Sequence, residues 1–224
     1  MGGMMGMLGG ANSRLMLLAL PPVQTELMLT DKQKEEITKL GEKLVADMRD
    51  TFGGLRDLEP AEREKKLAEL RQKGEQRLAE IQKDVDKILL DHQKTRLFQI
   101  GIQVQGVQAL ADAEVAKKLG LSDDQKSKIA AIQKDSREAT QKAFADLRNL
   151  SAEDRAAKFK ELREGMAKSQ KEVQDKMLKV LTEAQQKQFE ELKGPAFKVD
   201  WSQMRPGFGR KPAAPPEKEK PAGQ

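Results

Sequence analysis

Leu29-Thr30-Asp31-Lys32-Gln33 returns three times along the chain, as Leu89-Leu90-Asp91-His92-Gln93, Leu121-Ser122-Asp123-Asp124-Gln125 and Leu181-Thr182-Glu183-Ala184-Gln185. The first and third copies stand as far apart as the second and fourth (121 − 29 = 92 and 181 − 89 = 92), with no gap needed. Two motif pairs at one spacing mark a tandem duplication. The register holds between the motifs as well, aligning Val23 with Val115, Ile37 with Ile129, Leu40 with Ile132, Phe52 with Phe144, Leu70 with Leu162 and Val85 with Met177.

Each motif reads as a helix start. Thr30, Ser122 and Thr182 stand three residues before Gln33, Gln125 and Gln185. The hydroxyl can accept the backbone N–H of the third helical residue while the glutamine reaches back to the cap's own N–H. Asp31, Asp123, Asp124 and Glu183 then suit the positive end of the helix dipole. The second copy departs, since Leu90 cannot cap; there Asp91 caps, or the preceding helix runs through. The usual staple from the motif leucine to the fourth helical residue is unavailable, because that residue is Lys34, Lys126 or Gln186. Leu29, Leu121 and Leu181 are therefore expected to dock on a neighbouring helix.

Composition points the same way. Of 224 residues, 38% are hydrophobic and 34% charged, with 4% aromatic and no tyrosine. A chain rich in Ala, Glu, Lys, Leu, Arg and Gln builds long helices with narrow apolar seams rather than a thick pocketed core. The fold expected is all-α: a tandem duplication of antiparallel helical hairpins in an extended, coiled-coil-like bundle, followed by a disordered tail. The net charge of +5 is unevenly placed. Arg205, Arg210, Lys211, Lys218 and Lys220 against Glu217 and Glu219 give the tail 5 − 2 = 3 positive charges. On the body, basic and acidic residues alternate as on solvated helix faces, and no aromatic and basic pattern for nucleic acid accompanies them. No nucleic-acid partner is expected.

The absence of cysteine excludes disulfides, thiolate nucleophiles and cysteine metal sites. No apolar run approaches the ~20 residues of a membrane span. Leu15–Leu20 behind Arg14 ends at Pro21-Pro22 and is too short for the apolar region of a signal peptide. Either a signal was removed or lay upstream of this chain, or the protein stays inside the cell.

The expected domains run in order. Residues 1–14 form a flexible Gly/Met leader, whose thioethers are soft enough to hold Cu(I) but which reads first as a linker. Residues 15–111 are the first helical repeat with its linking helix: a short helix at 15–27, a helix at 31–52 with the stripe Ile37, Leu40, Leu44, Met48 and Phe52, and a returning helix after Pro60. The seam of that returning helix is Leu67, Leu70, Gly74, Leu78, Ile81, Val85 and Ile88. The linking helix, 95–111, shows Leu97, Ile100, Val104, Val107 and Leu110 on one face. Residues 112–193 are the second repeat, with a short helix near 114–119, Gly120 as its stop, and a helix from Ser122 to Leu147 with Ile129, Ile132, Ala139, Ala143 and Phe144 inward. A helix capped by Ser151 follows, with the seam Phe159, Leu162, Met166, Val173, Met177 and Val180. Residues 194–224 begin extended, with Phe197 and Trp201 able to lie on the bundle, and continue as a disordered Pro-rich tail.

Leu29-Thr30-Gln33, Leu121-Ser122-Gln125 and Leu181-Thr182-Gln185, with Leu89-Asp91-Gln93 as a degenerate copy, resemble the motif of the LTxxQ bacterial envelope proteins of the Spy/CpxP type, over roughly Val23 to Leu192. Members carry two such motifs in a curved helical hairpin that dimerises into a cradle; four motifs here look like two fused units. The resemblance implies a periplasmic, often stress-induced protein that works as an ATP-independent chaperone or as an envelope-stress binding protein that inhibits a stress sensor. Some relatives bind zinc through histidines, which would make a metal-responsive protein; His92 is the one histidine here.

Two readings follow. In one, a thin helical cradle holds exposed apolar segments of unfolded or partially folded proteins, with Ile37, Leu40, Ile129 and Ile132 as the residues that meet a client. In the other, a structural scaffolding protein uses the same stripes to seal its own homodimer. No catalytic, cofactor or metal residue is assigned. Carboxylates sit in i, i+4 pairs with Lys or Arg, His92 has no partner for catalysis in sequence, and Gly53-Gly54 stop a helix rather than cradle a phosphate.

Overall fold

The computed structural model describes residues 11–53, 59, 62, 79–148 and 152–198, and among these every regular element is helical. In chain order they are α1 (Ala11–Leu18), α2 (Pro21–Glu26), α3 (Asp31–Gly53), α4 (Asp91–Gln105), a 3-10 helix (Gly106–Ala111), α5 (Ala113–Lys118), α6 (Asp123–Arg148), α7 (Ala152–Val180) and α8 (Glu183–Leu192). Residues 79–88 are helical too. The register of the motifs sets the helix starts. Pro21 and Ala113 open α2 and α5, Asp31 and Asp123 open α3 and α6, and Asp91 and Glu183 open α4 and α8, each pair 92 residues apart.

The junction before the motif is built the same way in both halves. Leu27 N–H donates to Val23 O, Met28 N–H to Thr25 O and Leu29 N–H to Gln24 O. The same bonds join Leu119 to Val115, Gly120 to Lys117 and Leu121 to Ala116. Closing a helix with this pattern needs one residue in the left-handed region, and that residue is Met28 (φ 49°) in the first half and Gly120 (φ 60°) in the second.

The described residues fall into two compact units, Leu15–Leu89 in one, and Leu90–Val199 with those of Met1–Arg14 in the other. In the first, Val23, Leu27, Leu29, Ile37, Ile81, Val85 and Leu89 are buried. Leu40, Lys43 and Leu44 of α3 face Glu80, Ile81 and Asp84 of the 79–88 segment, so that segment returns along α3. The seam positions Leu67, Leu70, Gly74 and Leu78 lie outside the described residues.

In the second unit an apolar core gathers Phe98, Ile102, Ala109, Leu110, Val115, Leu119, Leu121, Ile129, Val173, Met177, Leu181 and Phe189, with Val107, Ile132, Leu178, Val180 and Leu192 packed on it. α4 belongs to this unit rather than to the first repeat, where the sequence boundary at 111 had placed it. It is also buried on more than one side, since Phe98, Gly101 and Ile102 are buried along with Leu97 and Ile100. A single apolar stripe suits a surface helix, whereas one apolar all round is enclosed.

Several boundaries differ from expectation for identifiable reasons. The helix expected over 15–27 is two helices, and α1 begins at Ala11, inside the expected leader. Pro21 has no N–H and disfavours helical backbone at the residue before it, so Leu20 is extended (φ −88°, ψ 121°) and α2 starts afresh. The linking helix starts at Asp91, four residues before the expected 95, and gives way to 3-10 geometry at Gly106, whose φ of 57° breaks the α pattern. Asp112, unremarked in sequence, caps α5 by accepting from Glu114 N–H (2.8 Å) and Val115 N–H (3.4 Å). Ala139 and Phe144, expected inward, are exposed. The cap expected at Ser151, the seam side chains Phe159 and Met166, and Trp201 lie outside what is described.

After α8 the chain turns at Gly194, which takes φ 62° and where a Cβ would run into the end of the Gln99 side chain. The positive φ favours glycine, and any larger residue would also have to displace the end of the Gln99 side chain. The segment that follows lies on α4, as expected for Phe197. Gln103 Nε2 and Arg96 Nη1 donate to Pro195 O (2.9 and 2.8 Å), and Phe197 N–H donates to Gln103 Oε1 (2.8 Å).

Candidate functional site

The four motifs are the features most constrained by sequence, and their geometry explains their composition. Gln33 N–H donates to Thr30 Oγ1 (3.3 Å), Gln125 N–H to Ser122 Oγ (3.2 Å) and Gln185 N–H to Thr182 Oγ1 (3.2 Å). The reciprocal bonds, from the cap N–H to the glutamine Oε1, are each 3.0 Å. Each hydroxyl cap contributes about 1 kcal/mol. At the second copy neither expected alternative holds: Leu90, extended at φ −75° and ψ 159°, occupies the cap position, and Asp91 is the first helical residue. Leucine offers no acceptor, yet Gln93 still closes its half of the arrangement by accepting Leu90 N–H (2.9 Å). The side chain of Asp91 instead pairs with Lys94 at 3.1 Å, matching Asp31–Lys34 and Asp123–Lys126 at the same distance.

The glutamines have a second role that the capping pattern does not reveal. Gln33 Nε2 donates to Ile88 O (2.8 Å), and Gln125 Nε2 donates to Val180 O (2.9 Å). The two bonds are equivalent in the duplication, and each ties the start of one helix to the end of the helix that returns along it. Gln185 Nε2 likewise donates to Leu119 O at the end of α5 (3.2 Å). The last carbonyls of a helix have no partner within it, so each glutamine satisfies an orphan donor at one helix end and an orphan acceptor at another.

Gln125 and Gln185 also bond each other, Nε2 to Oε1 in both directions (2.7 and 3.2 Å). Two capped helix starts are thereby joined face to face. Leu121 and Leu181 sit beneath them in the apolar core, in keeping with the docking expected of the motif leucines. The signal for this role was available in sequence: glutamate closes a capping box as well as glutamine does and suits the dipole better, yet all four copies use glutamine. Only an amide can accept from the cap and donate to a carbonyl at once.

The four residues assigned to a client divide into two pairs. Ile37 and Ile129 are each 1% exposed, which corrects the expectation that they face a partner; they lie in the second turn of α3 and α6, close to the junctions the motifs build. Leu40 and Ile132, further along, are half-buried. Beyond them Val45 and Phe144 are exposed, and Met28 and Leu90 more so, at 76% and 58%.

Polar surface around these residues is self-paired. Glu35 and Lys39 on α3 meet at 2.6 Å; the Lys39 hydrogen bond and its charge lower the Glu35 carboxyl, and the same bond raises Lys39. His92 is exposed near the start of α4. Among the described residues no His, Asp and Glu cluster could hold a metal ion, and no helix is long and apolar enough to cross a membrane.

No family model, curated protein or solved structure matches the chain.

Proposed function

We propose that the protein is a Spy/CpxP-like, ATP-independent chaperone or envelope-stress binding protein of the periplasm that holds exposed apolar segments of partially folded proteins. The observation that carries this reading is the repeated Leu-(Thr/Ser)-x-x-Gln junction, with the same cap and the same clamp on the returning helix at Gln33 and Gln125. The junctions fix the helix ends, while Leu40, Leu44 and Ile132 farther along remain half-buried, next to exposed Val45 and Phe144. Apolar side chains interleaved with charged ones on a helical surface suit partners of varied sequence. The reading assigns no catalytic role to His92.

The test is suppression of aggregation. The purified chain, without nucleotide or metal, should slow the aggregation of an unrelated unfolding protein at near-stoichiometric ratios. Ile132→Asp should weaken that activity more than it lowers the melting temperature, while Ile129→Asp should unfold the second unit. Unchanged aggregation in the presence of the parent chain rejects the reading.

One observation favours a second reading, that of a scaffold. Burial of Ile37 and Ile129 removes two residues from the surface a client could use, and Leu40 and Ile132 could seal a homodimer instead. A tight dimer at micromolar concentration, disrupted by Ile132→Asp and inactive against aggregation, would establish it.

A further inference from the structure

We propose that the groove between α5 and the first turns of α6 binds a small aliphatic carboxylate of medium chain length. The groove has a volume of about 460 Å³, within the range of small-molecule sites. Ala111, Ala113 and Ala130 contribute exposed apolar surface to it above the buried Leu110, Leu121 and Ile129, and Lys117 and Lys126 are the charged residues among those that line it, with no acid. An apolar lining with cations and no carboxylate fits an apolar chain ending in an anion.

The duplication supplies an internal reference. The positions equivalent to Ala116, Gly120 and Ala130 are Gln24, Met28 and Thr38. All three side chains are smaller in the second half. The position equivalent to Lys117 is Thr25, so a cation is added where the bulk is removed. In the first half, Gln24 Nε2 donates to Leu18 O (2.8 Å) and its side chain fills that corner. Ala116 has no donor and leaves the matching corner open. Lys126 already pairs with Asp123, whereas Lys117 makes no ion pair among the described residues and is free to meet a ligand. A peptide is a poorer occupant, because its backbone groups would need hydrogen-bond partners and the alanine, leucine and isoleucine side chains lining the groove provide none.

Calorimetric titration of the full chain with decanoate, below its micelle concentration, tests the proposal. Saturable binding at one site is expected, with decanol at least tenfold weaker because it lacks the charge. Ala116→Gln should weaken decanoate at least tenfold by restoring the first-half side chain, and Lys117→Thr about fivefold, in line with an exposed ion pair. Circular dichroism should show both variants as helical as the parent. If Ala116→Gln does not fold, the exposed Lys117→Thr decides alone. Absence of saturable binding, equal affinity for decanol and decanoate, or unchanged affinity in Lys117→Thr overturns the proposal.

Discussion

The two halves of the duplication share the backbone bonds of their junctions and the glutamine clamp, but not every residue around them, and the differences show which parts of the motif are replaceable. At the turn before the motif, the first half uses Met28 and the second Gly120 for the same left-handed backbone. At the cap, Thr30, Ser122 and Thr182 supply a hydroxyl where Leu90 supplies none. Only the leading leucine and the glutamine are invariant across the four copies. Cap and turn can be weakened at the cost of about 1 kcal/mol each, because water reaches an exposed helix start and can satisfy it. Gln33, Gln125 and Gln185 bridge groups at the ends of two helices, and Gln93, 3% exposed, is itself out of reach of water.

The largest effect expected is therefore at the clamp. Gln125→Glu keeps the acceptor for Ser122 N–H but sets a carboxylate against Val180 O and against Gln185 Oε1. Loss of the donor and burial of an unpaired acceptor should cost about 3 kcal/mol, read as a fall in the denaturant midpoint with an unchanged slope. A fall no larger than that of Ser122→Ala would show that the bridge to α7 contributes little and that capping explains the glutamine after all.

Next come the caps. Ser122→Ala and Thr182→Ala should each lose about 1 kcal/mol. Leu90→Thr should gain a comparable amount, since it restores the hydroxyl at a position 58% exposed, where little packing is lost. Thermal melts in which Leu90→Thr is destabilising would mean that Leu90 is held by contacts that outweigh a cap.

A smaller change is expected at the turn. Met28→Gly should stabilise the first half by about 0.5 kcal/mol, the relief of left-handed strain being partly offset by the greater freedom of unfolded glycine. Gly120→Ala should do the reverse. If Met28→Gly is neutral and Gly120→Ala costs more than 1 kcal/mol, the two junctions are not equivalent energetically despite matched bonds.

The smallest effect concerns the Glu35–Lys39 pair, which has no counterpart in the second half, where Ser127 and Ala131 stand. The hydrogen bond from Lys39 and its charge depress the Glu35 carboxyl. Any stability the pair confers is present above the ordinary carboxylate range and lost as pH falls through the depressed value. Both groups are fully exposed, so Lys39→Ala should raise the Glu35 titration midpoint by NMR and leave the melting temperature unchanged. A measurable drop would indicate that α3 depends on its surface pairs where α6 does not.

Much of the architecture was legible because it is local. The helix type, the starts at Asp31, Asp123 and Glu183 and the stop at Gly120 follow from capping chemistry, dipole preference and glycine's freedom at positive φ, all acting within five residues. The duplication was legible because spacing survives substitution. Long-range facts were not. That α4 packs with the second half, buried on more than one side, could not be read from a stripe of Leu97, Ile100 and Val104, since periodicity reports which face is apolar and not how many neighbours enclose it. Burial of Ile37 and Ile129 alongside the partial exposure of Leu40 and Ile132 was hidden for the same reason: all four lie on equivalent stripes, and only the distance from the clamped junction separates them. The bridge from Gln33 to Ile88 and its repeat from Gln125 to Val180 depend on bringing together groups 55 residues apart. The sequence by itself determined where the hydroxyl-capped helices begin and that the plan is used twice; the tertiary structure decided what each glutamine amide holds, because an amide's partners are set by which helix end arrives beside it.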